Sequence, residues 1–73
     1  MSEQEFIDKL TEIMDTEYPL EIDTMLEDVE EWDSLSCVTF LTMCKGMQKE
    51  VSPEDIVAAK TVRDLYYLAM GKA

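Results

Sequence analysis

The residue best placed to do chemistry is Ser34, which follows the acidic run 30–33 and stands where an amphipathic pattern begins. After it, apolar residues recur with the spacing of a helix that buries one stripe: Cys37, Phe40, Leu41, Cys44 and Met47. This pattern predicts a helix from Ser34 to about Gln48. A serine at that helix start could carry or contact a phosphate, because free N–H groups and the positive end of the helix dipole favour an anion there.

The same position also has a plain structural interpretation. Ser and Asp are favoured N-caps because their side-chain oxygens accept hydrogen bonds from the unpaired N–H groups of the first turn. The two apolar neighbours Leu35 and Val38 favour the functional interpretation, since both fall on the polar side of the helix. Exposed apolar side chains beside a serine suggest a docking patch, although single ones are common. The predicted exposed face otherwise consists of Ser36, Thr39, Thr42, Lys45, Gly46 and Lys49.

The chain lacks the groups that would make this serine a catalyst. It contains no histidine, and no lysine near Ser34 in sequence could replace one as a general base. The acids between Glu27 and Asp33 lack the spacing and the central glycine of a calcium-binding loop. We therefore expect that Ser34 is modified by another enzyme, that the protein is not itself an enzyme, and that it binds no metal.

Size and charge narrow the classes of protein further. Seventy-three residues make one domain, 1–73, and so small a domain buries only about 60% of its unfolded surface. The net charge of −11 is uneven: residues 1–33 hold 13 acids and one lysine, residues 34–73 four acids and five bases. Such charge disfavours nucleic acid and anionic membranes as partners and suits basic patches on proteins. A merely solvated acidic surface would carry the same charges.

The two cysteines indicate the compartment. Cys37 and Cys44 lie about two helical turns apart, too far for a disulfide, so we expect free and mostly buried thiols in a reducing compartment. The sequence has neither a signal-peptide pattern nor an apolar run of membrane length. We expect a cytoplasmic monomer that does not insert into membranes.

Capping patterns mark the other helices. Ser2 opens a first helix, from about Glu3 to Asp15. Ser52, followed by Pro53, opens a short helix that ends near Ala58 or Ala59, and Thr61 opens a last helix that stops at Gly71. The fold class predicted is all-α: a small bundle of three main helices and one short third helix.

The connection from Thr16 to Asp33 has no helical period and is long for a compact domain. Its many large apolar residues favour an ordered loop over a mobile linker, because a linker would leave them in water. We expect this loop to be pinned to the core, with one short helical turn near Met25 and Leu26.

The segment Trp32-Asp33-Ser34-Leu35 resembles the Asp-Ser-Leu signature of the acyl carrier proteins. The resemblance extends to segments 23–29, 51–56 and 60–65, in the order in which the family has them. It implies a four-helix bundle of acyl-carrier type in which Ser34 receives 4′-phosphopantetheine from coenzyme A through a phosphopantetheinyl transferase. The thiol of that group would carry acyl intermediates as thioesters in fatty acid, polyketide or related biosynthesis.

The resemblance also implies how partners bind. Glu30, Glu31 and Asp33 would meet basic docking patches on the transferase and on acyl-loading and acyl-processing enzymes. Leu35 and Val38 would supply the apolar contact. In carriers that enclose their cargo the acyl chain slides between helices, and here the space would be lined by Cys37, Phe40, Leu41 and Cys44.

The second helix departs from the fatty acid carriers, in which that helix is usually acidic. The difference favours a specialised carrier, for polyketide, nonribosomal peptide, D-alanyl or other acyl transfer. The glycine-rich approach to the serine that is typical of peptidyl carriers is missing, which favours an acyl or D-alanyl carrier over an aminoacyl/peptidyl one. A rival from another class is an acidic helical protein-interaction module or nucleic-acid mimic, which would use the acids of residues 1–33 and not depend on Ser34.

Overall fold

The computed structural model describes residues 2–71, so positions 1, 72 and 73 of the predicted 1–73 domain lie outside it. The described chain is mostly α-helical and contains no β-strand, which confirms the all-α prediction. Its helices are α1 (Glu3–Met14), α2 (Ser34–Gly46), the short α3 (Pro53–Ala58) and α4 (Val62–Met70). A single 3-10 turn, η1 (Leu26–Asp28), lies in the connection between α1 and α2, where the sequence predicts a helical turn.

The helices begin at the caps that the sequence specifies. Ser2, Ser52 and Thr61 each accept a hydrogen bond from the N–H three residues later. The carboxylate at that later position accepts a bond from the backbone N–H of the cap residue. These reciprocal bonds satisfy N–H groups that a helix start leaves unpaired. α4 ends at Met70, and its C-cap is Gly71, whose left-handed φ of 75° costs a glycine little.

Two helix ends differ from the sequence prediction. α1 ends at Met14, because Asp15 is already the left-handed C-cap with a φ of 51°. α2 ends at Gly46 rather than near Gln48, whose φ of 61° takes the backbone off the helical path. Glycine is about 1 kcal/mol less favourable than alanine in a helix interior, which weakens the last turn of α2.

The core lies where the helices meet. Phe6 of α1 and Phe40 of α2 are fully buried and pack edge to face, with ring centroids 6.1 Å apart. Ile56 of α3 and Leu65 of α4 are buried beside them. Aromatic pairs of this kind contribute roughly 0.5–1.5 kcal/mol beyond the area they bury. Phe40 thus anchors the first half of α2 in the core.

The long connection is an ordered loop, as predicted. The Leu26 N–H donates to the Lys60 carbonyl at 2.8 Å, and the Val62 N–H donates to the Thr24 carbonyl at 3.0 Å. These bonds pin the loop to the junction of α3 and α4. Leu26 and Val29 are buried in the core, so the loop holds the residues that lead into α2.

No helix within residues 2–71 is long and apolar enough to cross a membrane.

Candidate functional site

The start of α2 shows which residue caps the helix. Asp33 is the N-cap: its Oδ1 accepts a hydrogen bond from the Ser36 N–H at 3.0 Å. Ser34 is therefore the first residue of the helix, and its side chain is exposed. Within the described residues no hydrogen bond involves its hydroxyl. Capping does not account for a serine at this position.

Ser34 differs in this respect from every other serine of the chain. The sequence has serines at 2, 34, 36 and 52, all of them described. The hydroxyls of Ser2 and Ser52 accept capping bonds, each at 3.2 Å. Ser36 is buried, and its Oγ donates to the Glu31 carbonyl at 2.7 Å. Ser34 is the one serine among them whose hydroxyl is both exposed and uncommitted.

The prediction that Ser36 lies on the exposed face is wrong. Ser36 is only 5% exposed. Phe40 is four positions further along the helix, which puts the two side chains about 40° apart, on the same buried stripe. Its hydroxyl is satisfied by Glu31, as a buried polar group requires. Ser36 thereby ties the acidic run to α2. The helical spacing signals the burial of Ser36 but not the partner of its hydroxyl.

An exposed apolar patch follows Ser34. Leu35 and Val38 are 74% and 59% exposed, as predicted. Val57 of α3, whose exposure the sequence pattern does not indicate, is 79% exposed and lines a narrow gap together with Val38. Leu35 lies one turn before Val38 on the same side of α2. We call Leu35, Val38 and Val57 the docking patch, after the role that the sequence predicts for Leu35 and Val38.

The narrow gap between α2 and α3 has a volume of about 100 Å³. Of the residues predicted to line a cargo space, Cys37 and Leu41 line this gap. Phe40 and Cys44 do not: both are fully buried in the core. The gap is therefore well below the roughly 300–1,000 Å³ that ligand sites occupy.

The two thiols are free, as predicted, and differ in burial. Cys44 is buried, whereas Cys37 is only half-buried. Burial raises the pKa of both thiols above the usual value, and at Cys37 the charge of Asp33 raises it further. Both are therefore protonated at neutral pH and are poor nucleophiles.

The acids before Ser34 are exposed and unpaired. Glu30, Glu31 and Asp33 are all exposed, and none forms an ion pair within the part of the chain that the structure describes. Their charges are therefore free to attract a basic surface. Among residues 2–71 no group of three or more potential metal ligands lies together.

Comparison with protein-family models, with curated proteins and with solved structures finds no match to this chain. The fold and the site define a small all-α domain with an exposed, uncommitted serine at the N-terminus of its second helix.

Proposed function

We propose that the protein is an acyl carrier protein of acyl-carrier bundle type, with 4′-phosphopantetheine attached to Ser34. The observation that carries this proposal is the free hydroxyl of Ser34. Asp33 caps the helix instead of Ser34, and the Ser34 hydroxyl forms no hydrogen bond within residues 2–71. The Asp-Ser-Leu motif of residues 33–35 supports the same function.

The site fits a phosphodiester. The first N–H groups of α2 have no acceptor within the helix, and a helix N-terminus favours negative charge. α2 is 13 residues long, so its dipole is developed. When bound, the prosthetic group supplies a thiol that holds an acyl group as a thioester. The residues of the chain orient the phosphate end and leave the remainder free to reach partner enzymes.

The attachment requires a separate enzyme. The Ser34 Oγ attacks the β-phosphorus of coenzyme A, and a new oxygen–phosphorus bond forms. The bond to adenosine 3′,5′-bisphosphate breaks, and the serine proton passes to a base of the phosphopantetheinyl transferase. The chain has no histidine to act as that base, and both of its thiols are protonated at neutral pH.

The surface around Ser34 suits weak and rapid contact with several partners. Glu30, Glu31 and Asp33 attract basic patches on the transferase and on acyl-loading and acyl-processing enzymes, which speeds encounter and sets orientation. The docking patch then supplies apolar contact. Free thiols fit a reducing, cytoplasmic setting, in which the carrier acts as a monomer.

The exposed face of α2 favours a specialised carrier. The hydroxyls of Thr39 and Thr42 donate to carbonyls of their own helix, each at 3.0 Å. Lys45 is exposed near the end of the helix. α2 therefore offers partners no carboxylate after Asp33. Enzymes that recognise an acidic second helix would bind this face poorly, because its charge near Lys45 has the opposite sign.

The test is the intact mass of the protein after incubation with coenzyme A and a phosphopantetheinyl transferase of broad specificity. We expect the wild type to gain one phosphopantetheine and Ser34→Ala to gain none. Ser52→Ala is the matched control, because it also removes one exposed serine hydroxyl, and it should be modified. A folded wild type that gains no mass would contradict the proposal and favour the acidic interaction module.

A further inference from the structure

A groove of about 420 Å³ lies between the loop that contains η1 and the junction of α3 and α4. Its two walls are joined by the hydrogen bond from the Leu26 N–H to the Lys60 carbonyl, 2.8 Å long. Trp32 also lines the groove, and its ring packs edge to face on the buried Phe40, with ring centroids 6.2 Å apart. Backbone bonding and aromatic packing therefore hold the walls in place, as in most small-molecule sites, which are largely preformed.

The groove has the size of a ligand site. Its volume of about 420 Å³ falls in the range of roughly 300–1,000 Å³ that such sites occupy. The gap between α2 and α3, at about 100 Å³, does not. Of these two cavities, the groove is therefore the one with room for a small organic group.

The groove offers both apolar and polar contacts. Met25, Trp32 and Val57 provide apolar surface, and Glu27 and Lys60 provide one carboxylate and one ammonium. Neither charged side chain forms an ion pair or a hydrogen bond within residues 2–71. One acid and one base together favour neither sign of charge. They suit a neutral ligand with amides, because an amide N–H donates to a carboxylate and an amide carbonyl accepts from an ammonium.

Ser34 lies close to the groove along two paths. Trp32 stands two residues before Ser34, and two residues of extended chain span at most about 7 Å. Val38 lies one turn after Ser34 on the same side of α2. It lines the gap together with Val57, which also lines the groove. A group attached to Ser34 is therefore held beside the groove, and the attachment raises its effective concentration there.

We propose that this groove is the resting site of the pantetheine arm itself, independent of the acyl group that the arm carries. Pantetheine is neutral, and it has an apolar dimethyl group near the phosphate and amides further along. The dimethyl group packs against Trp32 and Met25, and the amides lie between Glu27 and Lys60. These contacts are reversible, so the thiol can still reach partner enzymes. This inference rests on the proposed modification of Ser34.

The test is NMR of the protein loaded with phosphopantetheine, with intact mass confirming complete loading. Trp32 is the only tryptophan of the chain, so its ring signals are unambiguous. We expect nuclear Overhauser effects between the dimethyl protons of the arm and the Trp32 ring. We also expect acrylamide to quench Trp32 emission less in the loaded protein than in the unloaded one. Fully loaded protein that shows neither effect would overturn the groove proposal alone.

Lys60→Ala should weaken the Overhauser effects and return the quenching toward the unloaded level. The substitution removes the ammonium and keeps the backbone bonds of residue 60. Lys45→Ala is the matched control, because Lys45 is also an exposed lysine but does not line the groove, and it should change neither signal. Equal signals in the two variants would overturn the assigned contact with Lys60. Failure of the folded protein to accept the arm would overturn the carrier function, and the groove proposal with it.

Discussion

The hydroxyl of Ser36 donates a hydrogen bond of 2.7 Å to the backbone carbonyl of Glu31. The N–H of Ser36 is bonded to Asp33 at 3.0 Å. Ser36, a buried residue of α2, is thus hydrogen-bonded to two residues of the acidic run that precedes Ser34. The position of the exposed hydroxyl is set by a serine two residues later.

Replacing Ser36 by alanine should destabilise the fold, because the Glu31 carbonyl loses its buried donor. We expect the free energy of unfolding to fall by about 1 kcal/mol, measured by urea denaturation. Ser34→Ala is the matched control and should change it by less than about 0.5 kcal/mol, since an exposed residue without a partner contributes little. Equal losses in the two variants would show that Ser36 does not hold this segment.

Polar substitution in the docking patch should slow modification without affecting stability. Leu35→Gln removes an apolar contact, and burying a leucine contributes roughly 1.5–3 kcal/mol. We therefore expect kcat/KM for phosphopantetheine transfer to fall by about tenfold or more. Tyr18→Gln, which changes another exposed apolar residue outside the patch, should leave the rate unchanged. An unchanged rate in Leu35→Gln would show that the docking patch does not contribute to binding of the transferase.

Acid should destabilise the start of α4, because the Asp64 carboxylate that accepts hydrogen bonds there becomes protonated. Hydrogen bonds from the Lys60 and Thr61 backbone lower the pKa of Asp64 in the folded state below its usual value of 3.8. A lowered carboxyl pKa stabilises the fold above the unfolded value, and this contribution is lost as the pH falls through 3.8 toward the folded pKa. Urea denaturation at pH 6 and pH 3 should show a smaller loss for Asp64→Asn than for wild type. The same loss in both would contradict this assignment.

The stability of the loop between α1 and α2 should depend more on its buried apolar residues than on its ion pair. Leu26 is 3% exposed, and replacing a buried leucine by alanine typically costs about 2–5 kcal/mol. Arg63 pairs with Asp23 at 2.7 Å, but their side chains are 46% and 77% exposed. Such pairs contribute about 0–1 kcal/mol. Leu26→Ala should therefore lower the denaturation midpoint far more than Arg63→Gln, and the reverse order would contradict the packing described here.

The helices were predictable because their signals are local. The caps at Ser2, Ser52 and Thr61 and the apolar period of α2 lie within a few residues of the structure they specify. The order of the loop was predictable, since apolar residues such as Leu26 and Val29 would otherwise be exposed to water. Its bonds to the junction of α3 and α4 were not, because they join residues far apart in sequence.

The site was predictable in part. Ser34 and the exposure of Leu35 and Val38 follow from the motif and from the helix period. Val57 does not, because α3 is only six residues long and shows too little of a period to tell which side faces the core. Ser36 was missed because a polar residue on a buried stripe becomes intelligible only with its partner, Glu31.

The most direct test of the account is to locate the modification by peptide mass spectrometry after transfer from coenzyme A. The sequence offers four serines as acceptors, and we expect phosphopantetheine on Ser34 alone, together with one new free thiol per molecule. Modification of Ser2, Ser36 or Ser52, or a folded protein that gains neither the group nor the thiol, would contradict it.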